Sequence, residues 1–529
     1  MTDQASLDRR LMLSFVGMTL PDDVQAMLAT SDVSGVTLFR PYNCESPTQL
    51  SELTAAIQKA SRSELDLLIA LDQEGGQLHA FGAPATMWPG NMALGAANDP
   101  GLTRRVAAAI GTELRSVGVN VDYAPNADLA TNASNPATGA RSFGEVPSLV
   151  ATHVGAFVEG LQSVGVAATM KHFPGKGDSS IDSHHGLPVL DHTEIELRQR
   201  EFVPFAAAIA SGVQVAMTGH VAIPSMTGSR ELPGTLSRTI NTGLLRDELG
   251  FEGVLITDAL DMKSLSQGLE QVVDVIAAVR SGVDLLLLTA DEAQQDRVRR
   301  GLAVAASRQL IADSTLDEAD ERVLRLRRWV SLYGAPSIGT VGSADHAELC
   351  LEASAASITL VKDDKSLLPL SRTASVLVVE TEPTILTPAD TSNYEAPSLA
   401  DEVRRVSSGA VTGVVVPHTP TAADVASVVK RCRSSDIVVV GTVAANLEPA
   451  QGVLVEALIA AHDCVVAVSR RTPWDVLAYR AIGTYVCAWS ANTLPTRATA
   501  SALFGESPIT GKLPTTVSEF PVGHGLVRG

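Results

Sequence analysis

Through its first 335 residues the chain alternates short apolar runs that end in polar residues with longer stretches whose apolar positions recur at helical spacing. The runs at 35–39, 67–71, 119–123, 167–170, 214–217, 254–256 and 283–288 read as strands, and the apolar stretch 11–20 reads as a strand before them. Between them the periodicity predicts helices over 47–60, 102–117, 149–163 and 269–280. Strands without a polar face, separated by helices, belong to a parallel sheet covered on both sides. Two architectures satisfy this, a (β/α)8 barrel and a doubly wound open sheet. The polar residues that follow the strands favour the barrel. Arg40, Asp72-Gln73-Glu74, Asp128, Lys171-His172, Gly219-His220 and Thr257-Asp258 all stand at or near strand ends. A barrel gathers its C-terminal strand ends at one place, whereas an open sheet spreads them along an edge.

A helical pattern over 316–333 stops at Gly334-Ala335-Pro336. The expected division is a barrel over 1–335, a linker over 336–365 and a second domain over 366–529. That second part repeats an α/β pattern, with strands at 376–379, 414–416, 437–440, 464–468 and 485–488, and is long enough for its own core. The fold class is therefore α/β, a (β/α)8 TIM-like barrel followed by an α/β sandwich.

Composition narrows the partners. The chain has 529 residues, 45% hydrophobic and 19% charged, with 59 Asp and Glu against 40 Lys and Arg. A formal charge of -19 without a basic patch argues against nucleic acid and anionic membranes. No apolar run approaches the roughly 20 residues that span a bilayer. The stretch after Arg9-Arg10 lacks a small-residue cleavage site and is followed by Asp22-Asp23, so a strand explains it better than a secretory leader. Cys44, Cys350, Cys432, Cys464 and Cys487 are too scattered for a disulfide framework or a metal knuckle. A reducing cytoplasm is the expected location.

Three strings carry chemistry. The first runs from Lys171-His172-Phe173-Pro174-Gly175-Lys176-Gly177 to Asp182-Ser183-His184-His185. Its glycines let backbone approach a ligand, and a carboxylate two residues from an imidazole can orient the ring and raise its basicity. A solvated turn capped by Asp182 is the plainer alternative. A metal site is the other alternative, but the spacing fits no helical H-x-x-x-H pattern and no cysteine is near. The second string, Gly253 to Met262, puts Asp258 at the end of a buried strand, where a carboxylate is costly unless paired or used. Near a cation such as Lys171 it would stay ionised and could act as a nucleophile; capping the next helix is the competing role. The third, Ala70-Leu71-Asp72-Gln73-Glu74-Gly75-Gly76, suits close approach of a polyhydroxylated ligand, or equally a tight exposed turn.

Taken together, these strings, with Arg141-Ser142-Phe143-Gly144 and Met217-Thr218-Gly219-His220, resemble glycoside hydrolase family 3, and more narrowly its β-N-acetylglucosaminidase branch. Residues 357–370 and 503–514 resemble that family's second domain. The resemblance implies a retaining mechanism, with Asp258 as nucleophile and His184, held by Asp182, as acid/base. It further implies that Asp72, Arg141, Lys171, His172 and His220 hold sugar hydroxyls, with no metal and no organic cofactor. The expected substrate is a small carbohydrate bearing a non-reducing-end β-N-acetylglucosamine, from wall recycling or chitin. The chain departs from the branch where Gln77, Leu78, His79 and Ala80 replace a segment that usually carries arginines. The arginine expected to touch a hydroxyl is absent at Ala80, leaving His79, Arg40 or a second-domain residue to substitute. Lys176 stands where the branch often has histidine.

Three rival readings remain at this point. A phosphorylase would use inorganic phosphate as acceptor, which a neutral imidazole repels less than a carboxylate does. A β-glucosidase would take its acid from the second domain, with Glu448 the candidate. A sugar-binding protein without catalysis is the third, against which both catalytic strings stand intact.

Overall fold

The structure is a computed structural model that describes residues 4–529. Eight parallel strands form the first sheet: β1 (Leu11–Leu13), β2 (Gly35–Thr37), β3 (Leu68–Leu71), β4 (Val121–Asp122), β5 (Ala167–Phe173), β6 (Val215–Thr218), β7 (Val254–Thr257) and β8 (Leu286–Leu287). Their order is β8-β1-β2-β3-β4-β5-β6-β7. A parallel bridge between Ile256 and Leu285 brings β7 back to β8 and completes the ring. The barrel expected from the strand-end residues is therefore the observed fold, and the open sheet is not.

Alternation of side chains divides each strand between two cores. Leu68, Ala70, Val121, Tyr123, Val215, Met217, Val254 and Ile256 fill the barrel interior. Ile69, Leu71, Ala168, Met170 and Leu255 face the surrounding helices. Val323, Leu326 and Val330, from the helix Asp313–Val330, join the interior cluster. Helix Pro100–Ser116 shows why the 3.6-residue pattern was readable. Asp99 caps its start by accepting from Leu102 N, and Leu102, Val106, Ile110 and Leu114 bury one stripe.

A second, six-stranded sheet follows: β9 (Thr359–Asp363), β10 (Val376–Thr381), β11 (Val411–Val416), β12 (Ile437–Thr442), β13 (Val465–Ser469) and β14 (Thr484–Cys487). The order is β9-β14-β13-β12-β10-β11, all parallel except β9, which runs antiparallel to β14. One face carries Val378, Val439, Val466 and Val486, and the other carries Val379, Val438, Val440 and Tyr485. The second cluster also takes in Met92, Ala93, Ala96, Ala130 and Ala140 from the barrel side. The helix Ala344–Ser357, within the expected linker, leads into β9. Among the described residues no helix is long and apolar enough to cross a membrane.

Candidate active site

The C-terminal ends of the barrel strands surround a cavity of about 490 Å³, lined by Asp72, Arg141, Lys171, His172, His184 and Asp258 among others. Five separate stretches of sequence therefore meet at one place, as a barrel allows and an open sheet does not.

At the end of β3 the chain turns into a small antiparallel hairpin, Gln73–Gly75 against Leu78–His79. The hairpin folds Glu74 inward rather than to solvent. Glu74 accepts two bonds from Arg141, Nε to Oε2 at 2.9 Å and Nη2 to Oε1 at 2.7 Å. Lys171 Nζ, from β5, lies 2.6 Å from Glu74 Oε1 and 2.5 Å from Asp72 Oδ1. Two anions and two cations thus balance in a nearly dry cluster. Burial works to raise the Glu74 pKa, but Arg141 and Lys171 outweigh it and hold the carboxyl well below the ordinary range.

His172 donates from Nδ1 to Asp128 Oδ2 at 2.8 Å, which leaves Nε2 unprotonated in the neutral ring. Burial, then the nearby Lys176 charge, pushes its pKa down to about 4. Asp128 Oδ1 also accepts from Lys176 N at 2.9 Å, so one carboxylate fixes both the ring and the start of the loop. The loop presses on the backbone after β4. A Cβ on Gly177 would come within 1.8 Å of Leu129 O, so only glycine fits.

Farther along that loop, His184 donates from Nδ1 to Asp182 Oδ1 at 2.6 Å, and the same oxygen accepts from His184 N at 3.0 Å. Asp182 is nearly buried while the ring is about a quarter exposed, which leaves Nε2 to meet a ligand. Asp258 follows β7. Its Oδ1 accepts from Ala259 N at 2.9 Å, and Lys176 Nζ lies 3.3 Å from its Oδ2. Burial opposes ionisation of Asp258, but Lys176 and the surrounding histidines prevail and keep the carboxyl well below its usual value. An ionised carboxylate and an imidazole with one free nitrogen therefore share one cavity. That pair can perform nucleophilic attack with proton transfer to a leaving oxygen.

Of the residues expected to hold hydroxyls, Asp72, Arg141, Lys171 and His172 line the cavity. His220 is buried outside the lining, with Nδ1 2.7 Å from Thr235 Oγ1 and Nε2 3.1 Å from Ala259 O. Both ring nitrogens are thus engaged by protein, and the ring buttresses the backbone beside Asp258. Glu448 does not reach the cavity either. It caps the helix Pro449–Ala461 and accepts from Thr419 Oγ1 at 2.8 Å.

Sequence reasoning left out Glu74 and Asp128 as site residues, although both stand among the strand-end polar residues. It also left open which residue stands in for the arginine absent at Ala80. Of the candidates, Arg40 lines the cavity together with Ala80, its guanidinium carbon 4.2 Å from the centre of the Tyr394 ring and Nη1 donating to His79 O at 3.3 Å. A Cβ on Gly82 would come 2.0 Å from this guanidinium, so Gly82 makes the room. His79 lies buried behind the wall, and burial together with Arg40 pushes its pKa down to about 3. Tyr394 belongs to a second-domain segment that also brings Ile385, Pro388, Asp390 and Thr391 to the cavity. Thr391 pins the segment to the hairpin, donating from N to Gln77 O at 2.8 Å and accepting from His79 N at 3.0 Å. Nothing in the local pattern of 383–395 announces this contact.

The family assignment rests on two matches. Residues 8–326 match the glycosyl hydrolase family 3 N terminal domain, and residues 358–520 match the C-terminal domain. The chain belongs to glycosyl hydrolase family 3. Within family 3, it is 36% identical over 385 residues to beta-hexosaminidase A of Pseudoalteromonas piscicida, covering 68% of this chain and 64% of that protein. It is 33% identical over 328 residues to a beta-N-acetylglucosaminidase/beta-glucosidase of Cellulomonas fimi, covering 59% and 57%. These matches span somewhat less than two thirds of either relative. The solved family 3 β-N-acetylglucosaminidase of Paenibacillus sp. str. FPU-7 superposes with a TM-score of 0.92 at 34% identity, covering 98% of this chain and 99% of that one.

Proposed function

We propose that this chain is a retaining exo-β-N-acetylglucosaminidase that removes a non-reducing-end β-N-acetylglucosamine from wall-derived or chitin-type oligosaccharides. The observation that carries the reading is the His184–Asp182 pair, with a free imidazole nitrogen, in the same cavity as the ionised Asp258. The relatives named above as hexosaminidases and N-acetylglucosaminidases support the choice of sugar.

Asp72, Arg141, Lys171 and His172 bind the terminal ring through its hydroxyls. Asp258 attacks the anomeric carbon as the bond to the aglycone oxygen breaks, and His184 passes its Nε2 proton to that oxygen. His184 then takes a proton from water as water attacks the same carbon and releases the Asp258 carboxylate. Two displacements retain the configuration. Asp182 accepts from Nδ1 throughout, holding the tautomer that presents Nε2 and stabilising the imidazolium.

The test is trapping with a 5-fluoro-N-acetylglucosaminyl fluoride, whose ring fluorine slows the second step more than the first. A stoichiometric mass increase that maps to the peptide bearing Asp258 is expected, along with preference for aryl N-acetylglucosaminide over glucoside and xyloside. An Asp258→Asn variant that keeps wild-type turnover, or label carried on another residue, would overturn the proposal.

A further inference from the structure

Just beyond Asp258 in the chain, Asp261 lines the same cavity and takes no part in the two displacements. It stands in a turn whose backbone is tied down from behind: Gln267 Nε2 donates to Met262 O at 3.0 Å, and Gln271 Nε2 donates to Leu260 O at 2.6 Å. Leu260 and Met262 on either side are buried, whereas Asp261 is exposed, so the turn opens its carboxylate to the cavity instead of packing it into the wall. Among the described residues that carboxylate meets only its own backbone N–H, with no basic side chain within ion-pair distance.

The other charges of the lining are already engaged. Asp72 pairs with Lys171, Arg141 with Glu74, Lys176 with Asp258 and Asp390 with Arg471. Asp291 caps the helix Glu292–Ser307. Arg40 follows β2, on another part of the ring, where its guanidinium rests on Tyr394 and Glu395 is the carboxylate it feels most. Asp261 instead lies in the field of His184 and Asp258. In the proposed mechanism His184 gives its proton to the leaving oxygen, so an open carboxylate beside His184 faces the aglycone. The terminal sugar is held deeper, by the buried Arg141, Lys171 and His172. Burial pushes the Asp261 pKa up from 3.8, the sign of a carboxylate without a full set of partners. A positive group on the aglycone offsets that cost, and a second carboxylate adds repulsion to it.

We propose that Asp261 is a specificity-determining residue that sorts aglycones by charge: it favours an amino sugar whose ammonium pairs with it, accepts a neutral sugar through a hydroxyl, and disfavours a sugar acid. The inference rests on the β-N-acetylglucosaminidase reading and narrows it. Chitin-type chains, acetylated or partly deacetylated, fit this subsite, and aglycones bearing a free carboxylate fit it poorly.

The test is kcat/KM of the full chain on N-acetylglucosamine β-1,4-linked to glucosamine, to N-acetylglucosamine, to N-acetylmuramic acid and to the methyl ester of that acid. The assay runs at low ionic strength and about pH 6, where a sugar amine is protonated and a sugar carboxylate ionised. Acid and ester match closely in bulk and differ by one charge, so their ratio reads charge. Wild type is expected to prefer ester over acid, and glucosamine over N-acetylglucosamine, each by about threefold to fivefold, as for a part-exposed ion pair, with both ratios shrinking as salt is raised. Asp261→Asn is expected to bring the ester-to-acid ratio close to one, and Asp261→Glu to restore it. A role exerted only through His184 would change all four substrates alike and leave the ratios untouched. A wild-type ester-to-acid ratio of one or below, or a ratio unchanged in Asp261→Asn, would overturn the inference. The wild-type ratio decides the matter even where the Asn variant does not fold. Failure to cleave any of the four, or an aryl β-N-acetylglucosaminide, sinks the proposed function itself, whereas cleavage blind to charge sinks only the role of Asp261.

Discussion

Replacing Asp182 by asparagine isolates the negative charge behind the acid. Both bonds to His184, from N at 3.0 Å and from Nδ1 at 2.6 Å, end on Asp182 Oδ1, so an amide oxygen can keep them. The loop geometry survives and the charge goes. Burial resists ionisation of Asp182, yet the bonds from His184 push its pKa from 3.8 down to about 2. That shift is worth roughly 2 kcal/mol, and solvent screening at the partly exposed ring reduces the share due to charge to about 1–1.5 kcal/mol. Acid catalysis should therefore fall about fivefold to about tenfold. The assay is kcat/KM across aryl N-acetylglucosaminides. The full loss is expected for poor leaving groups that need the proton, and almost none for 2,4-dinitrophenol, which leaves as its anion. The sign with pH follows. A carboxylate with a depressed pKa contributes fully above its ordinary value of 3.8, and that contribution disappears as pH falls toward about 2. Wild type and variant should thus differ at neutral pH and converge over that acid window. Equal losses for good and poor leaving groups, or a difference that persists at low pH, would refute the reasoning.

Two further outcomes follow from the cavity walls. Glu74→Gln leaves Arg141 with the Ala137 carbonyl and Lys171 with Asp72, so the dry cluster gains an unbalanced positive charge. A loss of about 3 kcal/mol is expected, at the low end for breaking a buried pair because Lys171 keeps one partner. It should appear as a lowered midpoint in guanidinium unfolding and be largely reversed in Glu74→Gln/Arg141→Met; strict additivity of the two substitutions would count against it. Tyr394→Ala frees the Arg40 guanidinium from its ring, with about 0.5–1 kcal/mol lost at a half-exposed site. The expected result is a KM raised about two- to fivefold with kcat nearly unchanged, and a fall in kcat alone would show that Arg40 acts elsewhere.

The barrel was legible because its strands bury both faces and each ends in a polar residue, two signals that local sequence carries without tertiary help. Asp72, Lys171 and Asp258 stood out for the same reason, and Asp182 and His184 as a carboxylate two residues from an imidazole on the loop after β5; the structure brings Asp72, Lys171, His184 and Asp258 to one cavity, and their proposed roles rest on the resemblance. Glu74 was not, since a carboxylate before two glycines reads as an exposed turn. Only the hairpin, folded back under Arg141 from 67 positions away, makes it the centre of the charge cluster. His220 shows the opposite case. It stands at a strand end like the residues that line the cavity, but Thr235 and Ala259 occupy its two nitrogens. Strand β9 escaped the strand pattern because it is an antiparallel edge outside the repeating β/α units. The reach of 383–395 into the cavity depends on how the two domains dock, which no periodicity encodes.

That docked segment separates chemistry from admission. In the proposed mechanism every reacting group sits on the barrel, whereas Ile385, Pro388 and Tyr394 form part of the cavity wall from another domain. An apolar cluster shared by the domains packs Met92, Ala93 and Ala140 among Trp474, Trp489 and Leu513, and the wall itself is anchored by Thr391 on the hairpin and by Asp390 paired with Arg471. Substitutions in one short surface stretch can therefore retune which sugars and leaving groups enter without displacing Asp258 or His184. For laboratory evolution this makes the exposed positions Ile385, Pro388 and Tyr394 the ones to vary, with Asp390 and Thr391 kept because they anchor the segment to Arg471 and to the hairpin.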